Sequence, residues 1–146
     1  MDHRPVLILL VEDDAAHAEI VHRNLSGLPV PHRIVHLADG QQALDYLQRT
    51  GSYAGPDAAP RPDIVLLDLR LPRVDGLEVL RLVKDDPALQ SIPVVVLTTS
   101  AAESDRALAY GRRANSYLVK PVELTRFTEL MRTFGLYWLA WNAFPG

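Results

Sequence analysis

Val6-Leu7-Ile8-Leu9-Leu10-Val11 runs straight into Glu12-Asp13-Asp14. Six apolar residues without a polar break suit a strand covered on both faces, as in a parallel sheet; a half-exposed strand would alternate. The arrangement recurs twice. Ile64–Leu67 follows Asp63 and stops at Asp68, and residues 94–97 follow Pro93 and stop at Thr98-Thr99-Ser100. Residues 34–37 and 117–119 are weaker strand candidates, the second followed by Lys120-Pro121. Helical spacing fills the intervals near residues 15–25, 41–49, 77–84 and 103–112, and again from Leu124 onward. Strand and helix alternate about five times, which predicts an α/β fold with a doubly wound, five-stranded parallel sheet and helices on both faces. Residues 51–62, rich in Gly, Pro and Ala, read as a long surface loop.

The totals narrow the function classes. A chain of 146 residues with 48% hydrophobic content fits one domain with a sizeable core. The net charge is -3 and the basic residues are scattered, so there is no footprint for nucleic acid. The absence of cysteine removes disulfides, thiol nucleophiles and cysteine metal sites. The longest apolar runs are far short of a membrane span, and the first is too short for a signal-peptide core. The expectation is a soluble cytoplasmic protein. Of the 15 basic residues only Lys84 and Lys120 are lysines, against a marked preference for arginine.

In open parallel α/β sheets, ligands sit beyond the carboxyl ends of the strands, where the strand order switches. Those ends carry Glu12-Asp13-Asp14, Asp68, Thr98-Thr99-Ser100 and Lys120. Clustered carboxylates repel one another unless a cation joins them. An all-oxygen donor set suits Mg²⁺, which uses few carboxylates together with phosphate oxygens. Lys120 offers a compact positive charge to phosphate, Thr98 a hydroxyl, and a carboxylate can act as nucleophile to form an acyl phosphate. Taken singly, Asp13 or Asp14 reads as a helix cap, Asp68 as a polar strand end, Thr98 and Thr99 as turn residues, and Lys120 as a solvated side chain. Their arrival in order at strand carboxyl ends is what points to phosphoryl transfer.

Val11-Glu12-Asp13-Asp14, Leu66-Leu67-Asp68-Leu69-Arg70-Leu71-Pro72 with Asp75-Gly76, residues 93–98, and Tyr117-Leu118-Val119-Lys120-Pro121 resemble the motifs of the response-regulator receiver family of two-component signalling. The resemblance implies the flavodoxin-like receiver fold and phosphorylation of Asp68 by a sensor histidine kinase. It implies that Glu12, Asp13, Asp68 and the Arg70 backbone carbonyl serve Mg²⁺. It implies that Thr98 and Lys120 meet the phosphoryl group, that Tyr117 turns inward with Thr98 as a switch, and that the Lys120–Pro121 bond is cis. The residue 51–62 loop, Ala114-Asn115-Ser116-Tyr117 and the aromatic tail further resemble the small regulators that partner bacterial phytochrome kinases, which makes a bacteriophytochrome the narrower candidate donor. Where the family has glycine before the fifth strand, this chain has Arg113.

Residues 5–133 are thus expected to form a receiver domain and residues 134–146 an aromatic extension of its last helix. With no DNA-binding or catalytic domain after the receiver, output is expected through protein contacts or by passing the phosphoryl group onward. A phosphohydrolase with an aspartyl nucleophile is the rival from another class, but it needs an acid/base Asp two residues after the nucleophile, where this chain has Arg70. An inert receiver scaffold is opposed by the complete set of Glu12, Asp13, Asp68, Thr98 and Lys120. The five histidines carry no evident metal spacing, and Asp75-Gly76 reads as a turn. Phe127, Met131 and Phe134 are spaced for a helix core, and the spacing continues into Tyr137, Trp138, Trp141 and Phe144. That surplus of aromatic surface points to a symmetric homodimer built on the last helix, the fifth strand and the adjoining fourth helix, with the tail crossing or covering the seam; the alternative is a tail folded back over its own domain.

Overall fold

A computed structural model of the chain describes residues 5–28, 30–99, 101, 102, 105 and 113–141, without the side chains of 139–141. The elements are β1 (Val6–Val11), α1 (Ala15–Ser26), β2 (His32–Leu37), α2 (Gly40–Gln48), β3 (Ile64–Leu67), α3 (Gly76–Asp85), β4 (Val94–Thr98), β5 (Ser116–Val119) and α4 (Leu124–Gly135). A π-helical turn, Leu136–Trp141, extends α4. The helix expected near residues 103–112 falls largely outside the described residues, as does Phe144.

All strand pairs are parallel, in the order β2-β1-β3-β4-β5. The unbroken apolar runs hide a period of two. Leu9, Val11, Val65, Leu67, Val94 and Val96 enter one core cluster with residues of α2 and α3. Ile8, Leu10, Ile64, Leu66, Val95 and Leu97 enter the other, with Ala18, Val21 and Leu25 of α1 and Phe127, Met131 and Phe134 of α4. Both faces of the central strands are buried, so neither set of positions can be polar. Each fully buried aliphatic side chain contributes about 1.5–3 kcal/mol relative to exposure.

Helix starts follow the local chemistry. Asp14 caps α1 through bonds from the Ala16 and His17 N–H groups, Asp39 caps α2, and Asp75 caps α3 by accepting from the Leu77 N–H at 2.9 Å. Asp75-Gly76 is therefore a turn and a helix start, as its sequence indicates. Gly76 has a further reason to be glycine. A Cβ there would lie 2.3 Å from the Asp68 carbonyl oxygen and 2.6 Å from the Leu69 Cα, both backbone.

The residue 51–62 loop is pinned rather than loose. It begins with a 3₁₀ turn, Gly51–Tyr53. The Tyr46 hydroxyl donates to the Pro60 carbonyl at 2.7 Å, Arg49 Nε to the Ala59 carbonyl at 3.2 Å, and Arg61 to the Leu47 carbonyl at 3.0 Å. Arg113, which stands in the place of a family glycine, pairs with Asp85 at 2.6 Å.

One expectation is corrected. No described peptide bond is cis, so Lys120–Pro121 is trans. Trans is the favoured isomer of an X–Pro bond by about 0.5–1 kcal/mol, and Lys120 reaches its carboxylate partners in that form. The tail packs in part on its own domain. Trp138 is half-buried against the core cluster that holds α4, while Tyr137 stays 56% exposed beside it.

Candidate functional site

The site follows from the sheet register. Val11 of β1 lies opposite Leu67 of β3, so the chain leaves these neighbouring strands with Glu12 and Asp68 side by side. The Asp68 N–H donates to the Val11 carbonyl at 3.0 Å, and the Glu12 N–H to the Leu37 carbonyl at 3.0 Å. β1 lies between β2 and β3, which is where the strand order reverses and where a ligand crevice is expected. On the far side of β3, the Lys120 backbone N–H donates to the Thr98 carbonyl at 2.6 Å, which brings the end of β5 up to the end of β4.

Glu12, Asp13, Asp14, His17, Asp68, Arg70, Thr99 and Lys120 line an open cavity of about 210 Å³. One carboxylate oxygen from each of Glu12, Asp13 and Asp68 lies within 4.8 Å of the others. That donor set fits a hard divalent cation that prefers oxygen ligands. Asp13 is exposed, whereas Glu12 and Asp68 are buried. Asp68 is held at both oxygens: Oδ1 accepts from the Arg70 N–H at 3.0 Å and Oδ2 from Lys120 Nζ at 2.9 Å. The first contact is an Asx turn, which fixes the carboxylate on the backbone of its own loop.

Lys120 is the counter-charge. Its side chain is 1% exposed, and its ammonium donates to Glu12, Asp68 and the Nδ1 of His17. Burial pushes the Glu12 carboxyl up to about 7; the Lys120 ammonium opposes this and the Asp68 charge adds to it. Burial and the same ammonium push His17 below the ordinary histidine value, against the pull of the Asp14, Asp68 and Asp13 carboxylates.

The residues expected at the site divide. Glu12, Asp13, Asp68, Arg70 and Lys120 share the cavity. Thr98 sits at the carboxyl end of β4 but is fully buried, and it is Thr99 that lines the cavity wall. Tyr117 is half-buried against the α2 and α3 side of the core, and its hydroxyl accepts from the Ala114 N–H at 3.0 Å. Asp14 is the helix cap that its position indicates, and Asp13 is the neighbour that turns into the acidic cluster. His17 is the site residue that sequence reasoning missed. Its only signal is position: it falls in the first turn of α1, just after the acids that end β1.

The response regulator receiver domain family matches residues 8–132. The probable methanogenesis regulatory protein FilR2 of Methanothrix harundinacea is 46% identical over 142 residues, 97% of this chain and 89% of its own. Response regulator Rcp1 of Synechocystis is 40% identical over 141 residues, 97% of this chain and 94% of its own. The crystal structure of Mn²⁺-bound Rcp1 superimposes with a TM-score of 0.91 at 39% identity, over 97% of this chain and 100% of that one. The phosphorylated cyanobacterial phytochrome response regulator RcpA gives a TM-score of 0.89 at 39% identity, over 98% of this chain and 100% of that one. The strand order, the acids at the ends of β1 and β3 and the buried lysine after β5 agree with these matches: this chain belongs to the response regulator receiver family.

Proposed function

We propose that Asp68 is the phosphoacceptor of this receiver and that a sensor histidine kinase is its donor. The observation that carries this is the state of the Asp68 carboxylate. It lines a cavity, fixed between the Arg70 N–H and the Lys120 ammonium, with two further carboxylates close enough to share a cation. In the transfer, a carboxylate oxygen of Asp68 attacks phosphorus and the P–N bond to the donor imidazole breaks. The bonding pair leaves on that nitrogen, and the product is an acyl phosphate. Water later attacks phosphorus, the O–P bond to the acyl oxygen breaks, inorganic phosphate leaves, and Asp68 is returned as a carboxylate.

Glu12, Asp13, Asp68 and the Arg70 backbone carbonyl are the proposed ligands of Mg²⁺. When bound, the ion supplies neutralisation of charge on the transferring phosphoryl oxygens. Lys120 holds a phosphoryl oxygen, and Thr98 offers its hydroxyl to another. Tyr117 follows Thr98 inward and carries the change to the surface around β5. Support comes from Rcp1, crystallised with Mn²⁺, and from RcpA, crystallised phosphorylated and described as a phytochrome response regulator. RcpA also makes a phytochrome-linked kinase the favoured donor. Millimolar Mg²⁺ is expected to raise the thermal midpoint, because it binds the folded cluster and not the unfolded chain. Asp13→Ala should remove most of that gain. A wild-type midpoint indifferent to Mg²⁺, followed by calorimetry, would contradict the ligand set.

We further propose that residues 5–133 form the receiver unit, that residues 134–146 extend it, and that two copies pair across α4 and β5. Val119, Val122, Leu124, Leu136 and Tyr137 are all exposed on or beside these elements. A cavity of about 170 Å³ opens between Leu118, Leu130, Phe134 and Trp138. Exposed apolar groups gathered in this way mark an interface. Sedimentation of the full chain is expected to show a dimer at micromolar concentration. Val122→Glu with Tyr137→Glu should give a monomer, since both side chains lie outside the core. A wild-type monomer at high micromolar concentration rules the pairing out.

A further inference from the structure

The Lys120 ammonium has three N–H donors, and the structure gives each an acceptor: Glu12, Asp68 at 2.9 Å and His17 Nδ1 at 3.0 Å. Two of these acceptors are carboxylates that a divalent cation would use. A cation on Glu12 and Asp68 competes for their lone pairs and repels the ammonium at short range. Lys120 cannot retreat into water, because its side chain is 1% exposed. A buried ammonium stripped of partners is costly, and it would resist the arrival of the metal.

His17 is the acceptor that remains. Its nitrogens are not part of the group whose ligand atoms lie within 4.8 Å of one another. The ring is held from several directions. Its backbone N–H is capped by Asp14 at 3.2 Å, and its face packs on Phe127 of α4 at 5.3 Å between centroids, tilted by 47°. Nδ1, which also lies 3.7 Å from Asp14 Oδ2 and 4.0 Å from Glu12 Oε1, accepts from Lys120 in the neutral tautomer that carries its proton on Nε2. A neutral acceptor keeps its bond to the ammonium without competing for the metal.

We propose that His17 is a positioning residue for Lys120: it holds the buried ammonium when a divalent cation takes Glu12 and Asp68, and thereby lets one site carry both charges. This rests on the metal reading above and adds the residue that makes the lysine and the cation compatible.

The test is the Mg²⁺ affinity of the full chain, read by isothermal titration for wild type, His17→Phe and His17→Asn, with metal-free thermal midpoints measured beside it. Phenylalanine keeps the packing on Phe127 and removes the acceptor. Asparagine places a carbonyl oxygen close to where Nδ1 stands. His17→Phe is expected to weaken Mg²⁺ binding about tenfold, the worth of one charge-assisted hydrogen bond. His17→Asn is expected to restore binding close to the wild-type level. His17→Phe with wild-type affinity overturns the proposal alone, and so does an asparagine variant no better than phenylalanine. A wild-type chain that takes up no Mg²⁺ overturns the ligand assignment and this proposal together.

Discussion

Asp68→Asn is expected to take up no phosphoryl group, from a cognate kinase or from a small phosphodonor such as acetyl phosphate. The amide lacks the charged oxygen needed to attack phosphorus, while its shape still fits between the Arg70 N–H and Lys120. The fold should therefore survive and the chemistry should not. The readout is acid-labile, hydroxylamine-sensitive phosphate on the purified protein, and its persistence in Asp68→Asn would move the acceptor elsewhere. Thr98→Ala belongs in the same assay. It should accept phosphate but fail to change its surface, because the hydroxyl is assigned to reading the phosphoryl group and not to receiving it.

Lys120→Arg should be far from conservative. The ammonium is a point donor enclosed by Glu12, Asp68 and His17, with almost no solvent access. A guanidinium is planar and larger, and it spreads its donors over a fork that three converging acceptors do not match. Overpacking of this kind costs about 1–3 kcal/mol. The variant is expected to lose stability by that order in denaturant titration and to fall well below wild type in phosphoryl uptake. An arginine variant equal to wild type in both would show that the lysine serves only as charge. The composition already hinted at this, since the chain otherwise favours arginine. The other lysine plays a purely structural part. Lys84 donates to the Gln90 and Ile92 carbonyls at 3.1 and 2.8 Å and closes the turn after α3.

The sheet was legible because burial on both faces leaves a coarse mark, an unbroken apolar run ending in a charge or a hydroxyl. β1, β3 and β4 stand out for that reason. β2 and β5 were weaker because they form the two edges of the sheet, where one side is exposed and polar residues such as Arg33 and Ser116 are admitted. The acids and the lysine were legible from their places at strand ends. His17 was not, because its role depends on the approach of β5, 103 residues away, and no local spacing records that. Thr98 and Thr99 are adjacent, and only the twist at the end of β4 decides which of them lines the cavity. The packing of Trp138 was hidden for a similar reason. Helical spacing says that a face is apolar, but not whether the domain or a second molecule covers it.

The bonds of Lys120 also bear on how the protein is made. They join positions 52, 103 and 108 residues apart, so the charge balance of the site closes only when the last strand docks. Until then Glu12 and Asp68 face each other without their counter-ion. Contacts of such long range are slow to form, because the entropy of closing the intervening loops must be met first. The proposed phosphoryl site is therefore complete only once the whole sheet is in place. A nascent or clipped chain lacking β5 and the residue after it has Asp68 but not the Lys120 ammonium that holds it.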